Sequence, residues 1–189
     1  TVSPTENKLK LAQGKKLAKN FKQKHYVVIN NIEKLNDFET WNKPETSFNY
    51  SHMATGFCFI ALPFVYYHNA KYIILGNEQD MNFSFRSMQN TLTWPAYDQT
   101  SEWQQEQDKM IKKLTNNKTG VTSIIRPLTN IAIVKILHSR YPQIAKYEVS
   151  CDCLDVSKEK RWCHNCNKCA RLFLFMKAFG INTKKIGLR

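Results

Sequence analysis

Cys151-Asp-Cys153, nine residues, and then Cys163-His-Asn-Cys166-Asn-Lys-Cys169 is the stretch from which the rest of the chain is read. Five of the six cysteines in 189 residues fall in it, and Cys163, Cys166 and Cys169 succeed one another at a strict two-residue gap. Zinc needs four soft, deprotonated ligands converging on one point, and a two-residue gap lets thiolates of one tight turn share a metal. Cys163, Cys166 and Cys169 are expected to supply three ligands, and Cys151 or Cys153 the fourth; the sequence does not choose between those two. His164 is a weaker candidate, because its neighbours already saturate a site. Four thiolates leave no open coordination position, so a zinc held here is expected to be structural rather than catalytic. The competing accounts of the spacing are a disulfide framework, a redox Cys-x-x-Cys pair and an iron–sulfur cluster. Cys58, inside an apolar run, reads as an inert core residue.

Upstream of the cysteines, helical and extended patterns alternate. Ser3-Pro4-Thr5-Glu6 has the pattern of a helix start, with Ser3 as cap, Pro4 in the first turn and Glu6 completing a capping box. Leu9, Ala12, Leu17 and Phe21 then share one face. His25 to Asn30 and Lys71 to Gly76 are β-branched runs that predict buried strands, and Thr122 to Arg126 predicts a third. Residues 31–47 read as a loop. An apolar helix is expected from about Tyr50 to Asn69, kinked at Pro63. Ser101-Glu-Trp-Gln104 is another capping box, opening a helix to about Asn116. Further helices are expected from Thr129 to about Arg140, and from Lys168 to Phe179, closed by Gly180.

This order predicts an α/β fold, a parallel sheet with helices on both faces. The expected division is an α/β domain over residues 1–148 and a zinc-binding segment over 149–189 packed on it. In such sheets ligands bind beyond the carboxyl ends of the strands, here just after Asn30, Gly76 and Arg126.

The formal net charge is +13, mainly from lysines in Lys8–Lys24, Lys109–Lys118 and Lys158–Lys185. Such a charge favours polyanions, whether RNA, DNA, nucleotides or anionic membrane surfaces, although lysine decorating solvated helix faces accounts for it equally well. No apolar run reaches the length of a membrane span; Phe57 to Tyr67, the most apolar, is too short and contains Pro63. The N-terminus lacks the order of a signal peptide, and the expectation is a cytoplasmic protein without membrane contact.

Four stretches, in order, resemble a known family. Arg161-Trp-Cys-His-Asn-Cys-Asn-Lys-Cys-Ala-Arg-Leu-Phe-Leu-Phe175 is similar to the cysteine-rich tail of the PP-loop ATPase superfamily, whose fold is that of the adenine nucleotide alpha hydrolase-like (HUP) proteins. It resembles the 7-cyano-7-deazaguanine synthase branch and, more closely, the UDP-N-acetylmuramoyl-L-alanyl-L-glutamate epimerases. Ile73-Ile-Leu-Gly-Asn-Glu78 resembles the strand ending in Gly/Ser-Asn-Glu, and Tyr97-Asp-Gln-Thr-Ser-Glu-Trp103 the epimerases' Tyr-Ser-Lys-Ser-x-Glu-Phe. Arg126-Pro-Leu-Thr-Asn-Ile-Ala-Ile-Val134 resembles the Pro-Leu segment that leads into a helix. Together they cover roughly residues 50–180. The superfamily's phosphate loop, Ser-Gly-Gly-x-Asp-Ser, is not in this sequence, which holds six glycines and no adjacent pair. The resemblance therefore implies the C-terminal part of a longer polypeptide, its sheet completed by an N-terminal segment or a second chain.

The resemblance implies ATP and Mg²⁺ as cofactors beside zinc, and contact between Gly76, Asn77, Glu78 and a nucleotide or its Mg²⁺. An ordinary strand-to-loop turn explains those three residues without a ligand. Tyr97, Asp98, Ser101 and Glu102 cluster at a helix start, where they would bind polar groups of a substrate or merely cap the helix. Arg126 would meet an anionic group. His52 and His68 read as ordinary histidines of an aromatic helix, and Trp162 as packing over the zinc loop. Two function classes follow. One is part of an enzyme in which ATP activates a carbonyl or carboxyl oxygen of a purine-like or nucleotide-linked peptide substrate. The other is a non-catalytic basic zinc module that binds nucleic acid or scaffolds a complex. No nucleophile–base pair is recognisable.

Overall fold

A computed structural model describes residues 2–4, 8–29, 53–151 and 161–189. The expected loop over residues 31–47, together with His52, Cys153 and the Thr5–Glu6 half of the first capping box, lies outside the described residues. The chain forms two compact units, one from Thr1–Ile29 with Ile131–Arg189, the other from Asn30–Asn130. Among the described residues, no helix is long and apolar enough to cross a membrane.

The Asn30–Asn130 unit is built on a parallel pair, β3 (Tyr72–Ile74) and β6 (Gly120–Thr122), in the register Tyr72↔Gly120, Ile73↔Val121 and Ile74↔Thr122. Strand periodicity turns Ile73 and Val121 into the core and leaves Tyr72 and Ile74 exposed. α2 (Met53–His68) and α3 (Ser101–Leu114) supply the other core residues, Cys58, Val65 and Ile111. Asp98 Oδ2 accepts from the Ala54 N–H at 3.0 Å, so a carboxylate 44 residues away closes the N-terminus of α2. α3 starts at Ser101 as expected, but its N-cap is Thr100, whose hydroxyl accepts from the Trp103 N–H at 3.2 Å. A short antiparallel hairpin, β4 (Phe85–Arg86) with β5 (Leu92–Thr93), lies between β3 and α3 in sequence.

The third expected strand is shifted. Pairing with β3 ends at Thr122, and residues 124–127 turn. Ser123 explains the stop, because its hydroxyl donates to the Asn77 carbonyl at 2.7 Å and draws the chain across the end of β3.

In the other unit, β1 (Val2–Pro4) pairs in parallel with β2 (Tyr26–Val28), joined by α1 (Lys8–Asn20). Ser3 and Pro4 are therefore strand residues rather than a helix start; a proline's fixed φ is tolerated in a short edge strand. α4 (Asn130–Arg140, of which Asn130 belongs to the Asn30–Asn130 unit), α5 (Pro142–Ala145), α6 (Asn167–Ala178) and a 3-10 turn over Thr183–Ile186 complete it. Their core is Val134, Trp162, Leu172, Met176, Ile186 and Leu188, continuous with Cys151 and Cys169. The protein is thus a mixed helix–strand chain with small parallel sheets and a cysteine cluster set in one core.

Candidate functional site

Cys151, Cys163, Cys166 and Cys169 bring their four sulfurs within 4.8 Å of one another. Cys151 Sγ lies 3.9 Å from Cys166 Sγ, and Cys163 Sγ lies 3.8 Å from Cys169 Sγ. A zinc with four sulfurs at about 2.3 Å requires sulfur–sulfur edges of roughly 3.8 Å, so these ligands need little movement to close on an ion. Backbone N–H donors organise the cluster. The Cys163 N–H donates to Cys151 Sγ at 3.3 Å, and Asn165 N–H to Cys163 Sγ at 3.4 Å. Cys166 is the N-cap of α6 and accepts from the Cys169 N–H at 3.4 Å. His164 takes a left-handed backbone, φ 61°, that closes the turn between Cys163 and Cys166. Its ring lies against the backbone of Arg189, not among the sulfurs.

Without a metal, burial pushes the Cys169 thiol up to about 12. The Asn165 N–H instead holds Cys163 below the usual thiol range. An entering cation replaces the protons, and the N–H donors and the α6 N-terminus stabilise the thiolates it leaves. The surroundings are rigid: Trp162 is 1% exposed and donates from Nε1 to the Ile186 carbonyl at 2.7 Å. Arg161 donates to the Glu148 and Ala145 carbonyls and lies over the Trp162 ring. Zinc fits this donor set, and the described ligands fill its coordination.

The second group of expected residues gathers at the carboxyl end of β3. Glu78 accepts from Asn130 Nδ2 on both oxygens, at 3.0 and 2.8 Å, and Asp80 Oδ2 accepts from the Asn130 N–H at 2.7 Å. Asn82 Oδ1 accepts from the Ser101 N–H at 2.7 Å, and the Gln79 N–H donates to the Leu128 carbonyl at 2.9 Å. Asn77 is 4% exposed, and its Nδ2 has no partner among the described residues. A Cβ on Gly76 would meet nothing within 4 Å, so the backbone there borders open space.

The remaining expected residues divide. Asp98, 3% exposed, is spent on the α2 terminus. Tyr97 meets Trp94 edge to face and Trp103 at a tilt, at centroid distances of 5.1 and 5.7 Å. Desolvation first, then the Glu102 carboxylate to which it is hydrogen-bonded, hold the Tyr97 hydroxyl above the usual tyrosine range. Arg126 is exposed in the turn after β6. Asn130, Asp80 and Asn82, which bind these segments together, are not among the expected residues. The available signal is thin: Asn130 follows Pro127 at a helix start, and Asp80 sits two positions past Glu78.

No family model matches the chain, and no curated protein matches it. Chemically, the cysteine cluster offers a closed metal site. The β3 end offers two carboxylates, a buried amide donor and an open backbone.

Proposed function

We propose that this chain is part of a PP-loop-type ATP-dependent enzyme with a structural zinc site. One observation supports the reading. The three upstream stretches that resemble the superfamily, Ile73–Glu78, Tyr97–Trp103 and Arg126–Val134, are far apart in sequence yet converge at the carboxyl end of a parallel strand. Ile73–Glu78 and Arg126–Val134 meet directly, through Glu78 with Asn130, and Tyr97–Trp103 is tied to the loop that follows Glu78, where Asn82 accepts from the Ser101 N–H. That end of a parallel strand is where α/β proteins place ligands.

In this reading the fold is of the HUP type. Gly76, Asn77 and Glu78 face the nucleotide and its Mg²⁺, while Tyr97 and Glu102 contact the substrate. ATP activates a carbonyl or carboxyl oxygen of a purine-like or nucleotide-linked peptide substrate. The phosphate loop comes from a preceding segment or a second chain, since backbone N–H donors of that kind are needed to cradle the pyrophosphate. The four-cysteine site holds the turn between Cys163 and Cys166 against α6.

Titration calorimetry with ATP·Mg²⁺, on this chain and on an N-terminally extended form, tests the reading. Binding by the extended form, lost on Glu78→Gln, is the expected result. An extended form that carries the loop and still binds no nucleotide overturns it.

A further inference from the structure

The net charge of +13 is not spread over the molecule. The unit made of Thr1–Ile29 and Ile131–Arg189 holds 19 of the 28 Lys and Arg residues but only five of the 15 Asp and Glu residues. The Asn30–Asn130 unit holds nine against ten. The whole basic excess therefore sits on the cysteine-bearing unit, and a divalent cation bound by four thiolates lowers it by only two charges.

The two units also treat their cations differently. In the Asn30–Asn130 unit, Lys109 pairs with Glu106 and Lys112 with Asp108, each at 2.7 Å. In the cysteine-bearing unit Glu148 is the single Asp or Glu side chain among the described residues, and it is occupied by His138 Nε2 at 2.9 Å. Arg171 and Lys177 on α6, and Lys184 and Lys185 on the turn after it, are exposed with no ion-pair partner among the described residues. Cations accumulated without counter-charges repel one another, and a bound polyanion relieves that repulsion.

Two further features separate the polyanion classes. The outer face of α6 carries a single exposed large apolar residue, Leu174, which is too little to enter a bilayer. Half-buried aromatic rings lie beside one of these cations and beside a lysine of α4: Lys177 Nζ is 5.4 Å from the Phe173 centroid and Lys135 Nζ is 5.4 Å from that of Phe179. Cations beside aromatic faces are the composition that takes backbone phosphates and unstacked bases together.

We propose that the α6 face of the cysteine-bearing unit, with Arg171, Lys177, Lys184 and Lys185, binds single-stranded nucleic acid. The proposal is independent of the ATP-dependent reading and survives its failure.

The test is fluorescence anisotropy of the zinc-loaded full chain with labelled 20-nucleotide oligo(U) and oligo(dT), from 50 to 200 mM salt. Affinity should fall steeply with salt, with a log–log slope of about −0.7 per phosphate contacted. The triple reversal R171E/K177E/K184E should weaken binding at least about 10-fold and flatten the slope by about 2, the loss of three phosphate contacts. The matched reversal K71E/K113E/K118E, on exposed lysines of the other unit, should change binding less than about 2-fold. Zinc content and thermal midpoint equal to wild type establish that both variants fold. Preference for the RNA or the DNA strand identifies the source of the ligand. Equal loss from the two reversals, no binding by the folded wild type, or tighter binding to vesicles containing 30% anionic lipid than to either oligonucleotide overturns the proposal.

Discussion

Asn130 sets a single nitrogen, Nδ2, against both carboxylate oxygens of Glu78, at 3.0 and 2.8 Å. Its backbone N–H, the first of α4, meets Asp80 at 2.7 Å. One neutral residue, 52 positions past Glu78 in the same unit, thus donates to two carboxylates at the exit of β3. Asn suits the position because it donates from side chain and backbone without adding charge.

Replacing Asn130 by alanine leaves Glu78 without its side-chain donor. The expected loss is about 1.5 kcal/mol of unfolding free energy, a figure for a hydrogen bond to a charged group that is partly solvated. Asn130→Asp should cost more, because it sets a third carboxylate beside the other two. Urea unfolding of the three proteins decides the matter, and an aspartate variant as stable as wild type would show that the bridge carries no weight.

Zinc held by the four-cysteine cluster predicts a pattern across the cysteines. Cys151→Ser, Cys163→Ser, Cys166→Ser and Cys169→Ser should each lower bound zinc well below one per chain by elemental analysis. Cys58→Ser and Cys153→Ser should retain one. A Cys153→Ser chain that loses its zinc would move the fourth ligand from Cys151 to Cys153. The pH dependence has a definite sign. Each ligand must shed a proton to bind, and burial makes the Cys169 proton hard to remove, at about 12 without metal. Protons therefore compete well, and zinc retained at pH 8 should be released as the pH falls towards 5, with Cys169→His releasing it over a different range.

The cysteine spacing was the most legible part of the chain, because metal geometry is local: three ligands within seven residues can be read from the sequence alone. Cys151 was legible as one of two options. Cys151 joins the cluster through a contact across 12 residues, from the Cys163 N–H to its sulfur, while Cys153 lies outside the described residues. α2, β3 and α6 were legible because their apolar runs are long or β-branched. Asp98 was not, since its role is to cap a helix 44 residues upstream, and nothing near Tyr97 in sequence announces that partner. Ser3 and Pro4 misled for a related reason: their capping pattern is local, whereas pairing with Tyr26–Val28 is not. Ile124 and Ile125 look extended and put Arg126 at a strand end, yet Ser123 turns the chain before them.

Cys58 provides a test at alkaline pH. It is fully buried in the core of the Asn30–Asn130 unit, and desolvation raises its thiol from 9.0 to about 11. The unfolded chain loses this proton near 9 and the folded chain does not, so the unfolded state is favoured as pH rises. The stabilisation is complete below pH 9 and disappears between about 9 and 11, by up to roughly 2 kcal/mol. Between pH 8.5 and 10.5 wild type should lose more stability in urea than Cys58→Ala does. Parallel pH profiles for the two proteins would remove Cys58 as the cause.

The last prediction concerns the parallel pair itself. A Cβ on Gly120 would lie 2.8 Å from Asp108 Oδ1, closer than packed atoms approach. Asp108 is not at liberty to retreat: that oxygen accepts from the Val121 N–H at 2.8 Å, and the other pairs with Lys112 at 2.7 Å. Gly120→Ala should therefore cost about 1–3 kcal/mol, the usual range for overpacking. Gly76→Ala, whose added carbon meets nothing within 4 Å, should cost little. The mechanism is separable from a general intolerance of β6 by a double-mutant cycle. With Asp108→Ala in place the obstructing oxygen is gone, and Gly120→Ala should cost at least about 1 kcal/mol less than it does in wild type. If the two substitutions simply add, the clash with Asp108 is not what fixes glycine at the start of β6.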